Sequence, residues 1–410
     1  MKGLAATELF HAAHLEDPYP LYARLRAQGP VCPLHGSRAF YVAGHAAVEE
    51  AVRRHEEFSA RLTGVLLRDP QGGASLFEFA GAGTASDVIA TADEPEHAAQ
   101  RRLLLPSLTA SRTVQLEEPV RAFGRERIAA FVRAGGGDWC AAVGEPVPAF
   151  VVTQLLGLGA DAVEVVQRWA MMGGDMLGGL IDTSGMQRLL QETGRMTAFL
   201  GAHLQSTLAL EPHARSGSLT DTLAGGIESG VISHEQATGI LVILFGAAGE
   251  STAALLGYSL RLMLATPGLQ ERLRADPALI EAFVEEAVRL ETPFKFHYRV
   301  VKQPTTLCGT ELEGGDRLLL GWGAANRDPA AFEAPDELRL ERHQPQRHLG
   351  FGHGIHFCIG APLARLEARI TLEELFAQSR WVEADPLRQP RVVPSIFIRR
   401  LAELPLRCHR

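Results

Sequence analysis

Residues 351–360 read FGHGIHFCIG, and they hold the residue types that most constrain the chemistry of this chain. The cysteine of this decapeptide, Cys358, stands directly before a segment in which Leu363 and Leu366 share one face of a predicted helix. Three glycines permit tight turns and a close approach of the backbone to a flat ligand. Free N–H groups and the positive dipole end at a helix start favour a thiolate. A thiolate at this position can bind iron.

Two other interpretations of Cys358 follow from the residues alone. A buried core thiol is the usual fate of a free cysteine. A zinc site built from His353, His356 and Cys358 would use the same loop, although it lacks a second cysteine at C-x-x-C spacing. The chain has five cysteines, which are too widely spaced for a disulfide framework and indicate a reducing compartment. The other four are Cys32, Cys140, Cys308 and Cys408.

Composition and charge narrow the class of protein. The 410 residues are 46% hydrophobic, and no Gly-, Ser-, Pro- or charge-rich run reads as a linker, so we expect one domain over residues 1–410. A net charge of −8, without a basic stripe, argues against a nucleic-acid partner. Residues 1–9 lack both a membrane-spanning stretch and a secretory signal. We therefore expect a cytoplasmic protein with no membrane association.

Hydrophobic periodicity and turn residues predict a mainly α-helical chain with small β-sheets. Helical periodicity dominates residues 94–264, with Gly-rich turns at 135–137 and 173–174. Residues 56–93 are expected to be irregular, either as a lid over the substrate or as a mobile loop. Short strands are predicted at 40–42, 298–301, 305–307, 318–320 and 396–398.

One long helix has clear end signals. Ser233 and Gln236 form a capping box, and the tripeptide at 266–268, TPG, closes the segment. The predicted helix has roughly 32 residues and is about 50 Å long at about 1.5 Å per residue. Because residues 240–245 are apolar on every side, this helix is expected to run through the centre of the molecule.

The decapeptide at 351–360 resembles the haem-binding loop of cytochromes P450, Phe-Gly-x-Gly-x-His-x-Cys-x-Gly, at all six defined positions. The resemblance implies the fold of that family, which is shaped like a triangular prism with a long central helix over the haem. It also implies that Cys358 binds the iron of haem b, or iron protoporphyrin IX. Phe351 and His356 are then expected in the cofactor-binding site.

Glu286 and Arg289 resemble the Glu-x-x-Arg motif of the same family. Their helix is predicted to begin with Asp276 as N-cap and Pro277 at its first position. Glu286 lies at the edge of an apolar stripe, so its carboxylate needs a partner, and Arg289 lies on the same flank. The resemblance implies a structural clamp joined to residues 326–329 and to the haem loop.

Residues 247–252, AAGEST, resemble the oxygen-activating stretch Ala-Gly-x-Glu/Asp-Thr-Thr of the family. The resemblance implies that Glu250 and an alcohol deliver protons to bound oxygen. The chain departs from the pattern at Ala248, where the family has glycine. With Glu250 aligned, the alcohol is Ser251 rather than a threonine, and Thr252 is the alternative. An alcohol is present in either register.

Haem also brings two propionates, which need cationic or hydrogen-bonding partners. The resemblance implies that His97 and Arg101 supply a His-x-x-x-Arg pair and that Arg299 follows the Glu-x-x-Arg helix in the same role. His356 is implied as a further partner. His348 is a weaker candidate.

The implied activity is insertion of one atom of O2 into a small, mostly apolar organic substrate, by hydroxylation or epoxidation. No flavin or iron–sulfur motif occurs in the sequence, so electrons from NAD(P)H are expected through a separate reductase and a ferredoxin, or a flavodoxin. The enzyme is expected to be a monomer. An acidic ferredoxin is expected to dock through some of five arginines. These are Arg101, Arg102, Arg342, Arg347 and Arg365.

Two alternatives stay open at this point. A peroxide-driven haem enzyme usually lacks the acid–alcohol pair, so Glu250 and Ser251 argue against it. A haem-binding sensor or carrier without turnover is compatible with the departures at Ala248 and Ser251. The substrate pocket is expected to be mostly apolar. Its predicted lining is 62–89, Met171, Met172, Met176, 247–251, 293–296 and 396–397.

Overall fold

α-Helices are the main secondary structure of the computed structural model, which describes residues 3–79 and 87–410. The prediction of a mainly α-helical chain is confirmed. In chain order the helices are α1 (Ala12–Glu16), α2 (Tyr19–Gln28), α3 (His45–Arg53), α4 (Glu96–Leu104), α5 (Ala110–Thr113), α6 (Glu117–Arg133), α7 (Pro146–Leu156), α8 (Val163–Ala170), α9 (Thr183–Leu208), α10 (Leu219–Glu228), α11 (His234–Leu244), α12 (Ser251–Ala265), α13 (Leu269–Ala275), α14 (Leu279–Leu290), α15 (Trp322–Ala325) and α16 (Ala361–Gln378).

The strands form small sheets. They are β1 (Leu4–Ala5), β2 (Val31–His35), β3 (Ala39–Val42), β4 (Phe58–Ser59), β5 (Gly64–Arg68), β6 (Ala74–Glu78), β7 (Gly136–Asp138), β8 (His297–Val301), β9 (Thr305–Leu307), β10 (Thr310–Leu312), β11 (Arg317–Leu320), β12 (Trp381–Ala384), β13 (Arg391–Val392), β14 (Leu401–Glu403) and β15 (Pro405–His409). The largest sheet in the described ranges has the order β1-β2-β3-β11-β8-β4. Antiparallel pairing of β8 with β11 sets Arg299 opposite Leu318.

Both faces of this sheet are packed. Leu319 faces one hydrophobic cluster, and its neighbours Leu318 and Leu320 face another, as the alternation of side chains along a strand requires. A larger cluster surrounds the long central helix and includes Phe245 and Leu256. The predicted site residues on β8 and on the central helix are therefore held by packed elements.

Four of the five predicted strands are confirmed, because 40–42, 298–301, 305–307 and 318–320 lie within strands. The fifth, at 396–398, is wrong. Only an isolated bridge between Ile398 and Phe294 forms there. The Ser395 hydroxyl oxygen accepts hydrogen bonds from the N–H groups of Phe397 and Ile398, at 3.1 and 3.0 Å. This local turn uses the donors that a strand ladder would need.

The prediction of an irregular stretch at 56–93 is wrong in part. β5 and β6 form an antiparallel hairpin in which Gly64 pairs with Glu78. The Asp69 carboxylate accepts hydrogen bonds from the N–H groups of Gln71 and Gly73, at 2.9 and 2.7 Å, and so closes the turn. This is an Asx turn, and the sequence DPQGG at 69–73 carries its signal. Residues 80–86 lie outside the described part of the chain.

The predicted glycine turn at 135–137 is also wrong in part, because Gly136–Asp138 forms strand β7. Gly137 pairs with Leu406 of β15. At Gly136 the backbone has a φ of +113°, and a Cβ there would lie 2.1 Å from the carbonyl oxygen of Leu406. Glycine is needed here for a close strand contact as well as for its backbone conformation. Residues 173–174 form a turn, as predicted.

The central helix spans His234–Ala265, a length of 32 residues, as predicted. Its capping box is present, with Ser233 and Gln236 bonded to each other's backbone N–H at 3.0 and 2.8 Å. The sequence did not predict its π-helical middle, Phe245–Glu250. Among the described residues this helix alone is long and apolar enough to cross a membrane, but 61% of its apolar window is buried. The core helix of a soluble protein has the same properties.

The helix that carries the Glu-x-x-Arg motif, α14, begins later than predicted. Its N-cap is Ala278, so the prediction of Asp276 as N-cap is wrong. The Asp276 carboxylate accepts a hydrogen bond from the N–H of Ala278 at 3.1 Å and stabilises a separate turn before the helix. A short Asp-Pro turn competes with direct helix entry at such a sequence.

Candidate active site

The cysteine loop is closed by its own backbone. The N–H of Cys358 donates to the carbonyl oxygen of Phe351 at 2.8 Å. Gly352 and Gly354 have φ values of +71° and +69°, which favour glycine. A Cβ on Gly354 would also lie 2.8 Å from a methyl carbon of Val52. The glycines at these two positions are therefore required by the backbone that presents the sulfur.

The sulfur lies just before the start of α16, and its side chain is exposed. Desolvation by the surrounding protein raises the pKa of the Cys358 thiol above its ordinary value. The N–H groups of Gly360 and Ala361 and the charges of Arg101 and Arg365 offset only part of that increase. The helix start therefore favours the thiolate, as predicted, but in the protein chain by itself desolvation outweighs this effect. A metal that binds the thiolate displaces the proton.

The zinc alternative finds no support in the geometry. Within residues 3–79 and 87–410, no group of three or more His, Cys, Asp or Glu side chains is arranged to hold a metal ion. His353 is exposed, whereas His356 is half-buried and contacts His97. The loop therefore offers a metal one sulfur from Cys358 and directs its second histidine elsewhere.

Four nitrogen-bearing side chains come together near the cysteine loop. They are His97, Arg101, Arg299 and His356. The ring centroids of His97 and His356 are 4.1 Å apart. Burial, together with the charges of Arg299, His97 and Arg101, lowers the pKa of His356 to about 3. Burial also lowers the pKa of Arg299 to about 10. The cluster therefore holds the positive charges of Arg101 and Arg299 in a desolvated place, where the charge of Asp93 offsets only part of the effect of burial on Arg299.

This cluster fits the carboxylates of a haem. Nε2 of His97 is buried without a hydrogen-bond partner, while its Nδ1 lies 3.1 Å from a carboxylate oxygen of Glu94. The Arg299 side chain is 6% exposed and donates to the carbonyl oxygen of Tyr298 at 2.7 Å. In the described chain, neither Arg101 nor Arg299 forms an ion pair with a carboxylate. Buried cations of this kind require anionic partners, and two propionates would supply them.

His348, the weaker candidate for a propionate, has another role. Its Nε2 lies 3.1 Å from a carboxylate oxygen of Glu285, and its Nδ1 accepts a hydrogen bond from the N–H of Gly350 at 3.1 Å. The prediction of His348 as a propionate partner is wrong, because both ring nitrogens are engaged within the protein. Glu285 also binds Arg365 at 2.6 and 3.0 Å. The guanidinium of Arg365 lies 4.4 Å from the centroid of the Phe351 ring.

The Glu286–Arg289 pair forms the predicted clamp. Arg289 donates two hydrogen bonds to the Glu286 carboxylate, at 2.6 and 2.8 Å, and the two residues are 0% and 1% exposed, respectively. Arg289 also donates to the carbonyl oxygen of Asn326 at 3.0 Å. The side-chain oxygen of Asn326 accepts a hydrogen bond from the N–H of Leu349 at 2.6 Å. Through Asn326 the clamp reaches the segment that enters the cysteine loop.

The arginines proposed for ferredoxin docking divide into two groups. Arg342 has a side chain only 6% exposed and donates to the Glu286 carboxylate at 3.0 Å, so it belongs to the clamp. Arg365 is held by Glu285 and Phe351, and Arg101 is half-buried in the cationic cluster. The prediction of a docking role is wrong for Arg342, whose side chain is buried, and stays a prediction for Arg101 and Arg365, which keep part of their surface accessible. Arg102 and Arg347 are exposed.

The π-helical segment shapes the accessible face of the central helix. Ala247 is exposed and Ser251 is half-buried, whereas Thr252 is 3% exposed. The Ser251 hydroxyl donates to the carbonyl oxygen of Ala247 at 2.5 Å. Of the two alcohols predicted for proton delivery, Ser251 is therefore the more accessible.

Glu250 lies deeper than Ser251, and within the described chain their side chains do not hydrogen-bond to each other. Its side chain is 2% exposed, and one carboxylate oxygen accepts a hydrogen bond from Arg400 at 3.2 Å. Burial raises the pKa of Glu250 to about 7, against the opposing charge of Arg400. Arg400 was not predicted, because a buried acid requires a partner but its local sequence does not indicate where in the chain that partner lies.

Two segments predicted to line the pocket meet in the structure. The rings of Phe294 and Phe397 have centroids 5.0 Å apart, and the ring of His297 lies 5.1 and 5.4 Å from them. His297 was not predicted. Its Nδ1 accepts a hydrogen bond from the indole N–H of Trp322 at 2.7 Å, so its Nε2 carries the proton. Met171, Met172 and Met176 are half-buried.

Comparisons with known proteins agree with this geometry. Residues 205–395 match the profile of the family described as Cytochrome P450. Cytochrome P450 144 of Mycobacterium tuberculosis is 39% identical over 402 residues, which cover 98% of this chain and 91% of that protein. Cytochrome P450 monooxygenase PikC of Streptomyces venezuelae is 30% identical over 401 residues, covering 96% and 92%. A structure of a mutant of P450 EryK in complex with erythromycin B matches with a TM-score of 0.83 at 26% identity, covering 97% and 98%.

Proposed function

The chain belongs to the cytochrome P450 family of haem-dependent monooxygenases, and from that premise we propose that it inserts one atom of O2 into a small, mostly apolar organic molecule, by hydroxylation or epoxidation. The observation that carries the proposal is that the Cys358 loop meets a cationic cluster whose two arginines form no ion pair in the described chain and in which Nε2 of His97 has no hydrogen-bond partner. Haem b, when bound, supplies the site with reductive activation of O2.

The residues proposed to hold the haem divide by chemistry. The sulfur of Cys358 is the ligand for iron, and hydrogen bonds from the N–H groups at the start of α16 moderate the electron density on it. His97, Arg101, Arg299 and His356 hold the propionates by charge and hydrogen bonds. Phe351 fixes the loop through its backbone bond to the N–H of Cys358.

Protons are proposed to come from the central helix. Glu250 has a pKa of about 7, so near neutral pH it both holds and releases a proton. Ser251 donates its hydroxyl hydrogen to Ala247, which leaves the oxygen free to accept a hydrogen bond. Because Ser251 is more accessible than Thr252, we assign to Ser251 the role of the alcohol that accepts and hands on the proton.

The pocket is proposed to select apolar molecules. Phe294 presents aromatic surface and is backed by the buried ring of Phe397, and half-buried methionines add flexible apolar surface from the turn at 171–179. An apolar molecule that covers these side chains also excludes water from the reacting centre. The N–H of His297 at Nε2 is available to orient a polar group of the bound molecule.

Electrons are proposed to arrive from NAD(P)H through a reductase and a ferredoxin, or a flavodoxin. Arg102 and Arg347 are exposed and could pair with an acidic carrier. We further propose a cytoplasmic monomer that forms one unit over residues 1–410. The burial of most of the apolar central helix supports a soluble protein.

Two measurements test this function. The reduced protein with carbon monoxide should show the absorption of a thiolate-ligated haem, and Cys358→Ala should abolish it. Turnover of an apolar substrate panel with a surrogate ferredoxin system should exceed turnover with hydrogen peroxide alone. Greater turnover with peroxide would favour a peroxide-driven enzyme, and haem binding without turnover in either assay would favour a sensor or carrier.

A further inference from the structure

A cluster of four charged side chains lies behind the accessible face of the central helix. Arg400 donates to Glu250 at 3.2 Å and to Glu145 at 3.1 Å. The charge of Arg400 also acts on Asp175, and the charge of Asp175 acts on Glu250. These residues come from four separate parts of the chain. We call them the Arg400 cluster.

Glycines allow this cluster to form. A Cβ on Gly174 would lie 2.9 Å from a carboxylate oxygen of Glu250. A Cβ on Gly173 would lie 2.5 Å from Cα of Gly246 in the π-helical segment. The turn that carries Asp175 can therefore approach the central helix only because side chains are missing at these positions. The close approach brings a second acid to Glu250.

The cluster has more acids than its single cation can neutralise. The carboxyl groups of Glu145 and Glu250 share one guanidinium, whose charge also acts on Asp175, and a fourth acid, Asp138, acts on Glu145. Burial raises the pKa of Glu145, and desolvation of the carboxyl group raises that of Asp175 although the residue as a whole is exposed. The charge of Arg400 offsets only part of either increase. Neighbouring negative charges oppose full ionisation, and the pKa of about 7 for Glu250 means that this acid still holds a proton for part of the time near neutral pH.

Exposure decreases from one end of the cluster to the other. Asp175 is exposed, the Glu145 side chain is 18% exposed, and that of Glu250 is 2% exposed. Gln167 donates a hydrogen bond to the second carboxylate oxygen of Glu145 at 3.2 Å and holds it in place. The exposed acid of the cluster, Asp175, thus acts by its charge on the buried acid of the central helix.

We propose that Asp175, Glu145 and Arg400 are positioning residues that hold a shared proton and resupply Glu250 after each proton delivery. The inference rests on the proposed function, because it needs a reaction that consumes protons at Glu250. Glu250 releases its proton toward the face that Ser251 lines and becomes a carboxylate. A proton from Asp175 or Glu145 then restores the acid, and solvent returns a proton to the donor. No electrons move in this step.

An infrared titration of the complete protein tests the cluster without reference to turnover. The C=O band of protonated Glu250 is identified as the band that Glu250→Gln removes, and its titration midpoint is followed in each variant. Asp175→Asn and Glu145→Gln should lower the midpoint, since the first removes a negative charge and the second leaves Arg400 to Glu250 alone. Arg400→Met should raise it by about one pH unit, and Arg400→Lys should restore it in part. Glu164→Gln, an exposed acid on α8, is the matched control.

Turnover then tests the supply of protons. Asp175→Asn and Glu145→Gln should form less product per NAD(P)H oxidised and show a larger solvent isotope effect than wild type, with an unchanged carbon monoxide spectrum. If the titration midpoint of Glu250 in the cluster variants equals that in Glu164→Gln, the cluster does not act on Glu250. If the midpoint shifts but the product formed per NAD(P)H stays at the wild-type value, the cluster does not supply protons. If the wild type itself forms no product, the proposed function fails, and the supply role fails with it. If the wild type forms product and the cluster variants behave like Glu164→Gln, the proposed function stands and only the supply role is refuted.

Discussion

Two buried glutamates of this molecule are paired with arginine, but one has several donors to itself and the other shares a single arginine with other acids. Glu286 accepts hydrogen bonds from two nitrogens of Arg289, one nitrogen of Arg342 and the backbone N–H of Arg339. Burial alone would raise the pKa of Glu286, but these partners hold it below its ordinary value. Glu250 shares one arginine with other acids, and burial raises its pKa to about 7. The number of donors per carboxylate thus separates a structural ion pair from a proton-holding one.

The largest effect on stability is expected from replacing Glu286, because several hydrogen-bond donors depend on this one carboxylate. Glu286→Ala leaves the guanidinium groups of Arg289 and Arg342 buried without their carboxylate, which should lower the free energy of unfolding by about 3–5 kcal/mol. Urea unfolding of the haem-loaded protein measures the change. Glu281→Ala, an exposed position on the same helix, should change it by less than about 0.5 kcal/mol. Equal losses in both variants would show that the clamp contributes nothing special.

The pH dependence of stability should have opposite signs for the two glutamates. An acid whose pKa is higher in the folded state stabilises the fold only while protonated, so the contribution of Glu250 is lost as the pH rises from about 4.5 to about 7. Relative to Glu250→Gln, the wild type should lose up to about 3 kcal/mol over this range. Glu286, with its lowered pKa, contributes stability at neutral pH and loses it as the pH falls.

Unfolding curves at closely spaced pH values check both signs. The difference in unfolding free energy between wild type and Glu250→Gln is the quantity to follow. A difference that does not change between pH 5 and 8 would mean that Glu250 is ionised in the folded protein like an exposed acid. The comparison between the two ion pairs would then lose its physical basis.

Turnover should depend on Glu250, whose replacement is not expected to lower stability at neutral pH. Glu250→Gln removes a titrating proton but keeps the shape of the side chain, so product formation should fall by about 10²-fold. That factor corresponds to about 2.7 kcal/mol in activation free energy. The unfolding free energy at neutral pH should not decrease, because the variant no longer buries an acid. Wild-type turnover in Glu250→Gln would place proton delivery elsewhere.

The contacts that could be predicted from the sequence are those between residues close together in the chain. The Cys358 loop, the capping box at Ser233 and the Glu286–Arg289 pair each bring their interacting groups within a few residues, and the structure forms all three. Arg400 could not be predicted as the partner of Glu250, because 150 residues separate them. Contacts of that separation depend on the whole fold and leave no local pattern.

Wrong predictions came from side chains that compete for nearby groups. A strand was predicted at 396–398, but Ser395 binds the backbone N–H groups that a strand would use. Arg342 is predicted at a docking surface, but its buried side chain turns back to Glu286 of α14. Long arginine side chains reach buried acids as readily as solvent, and charge in the sequence does not distinguish the two.

The smallest expected loss of stability is in Arg342→Lys, a conservative change in the clamp. In Arg342→Lys the positive charge stays, but the planar group that donates to Glu286 at 3.0 Å and to the carbonyl oxygen of Glu333 at 2.7 Å is lost. Urea unfolding should show a loss of about 1 kcal/mol. Arg339→Lys is the matched control, since that side chain is 39% exposed and its acid partners are more exposed still, while its backbone bond to Glu286 is retained. If the two variants lose equal stability, donor geometry is unimportant and charge alone holds Glu286 ionised.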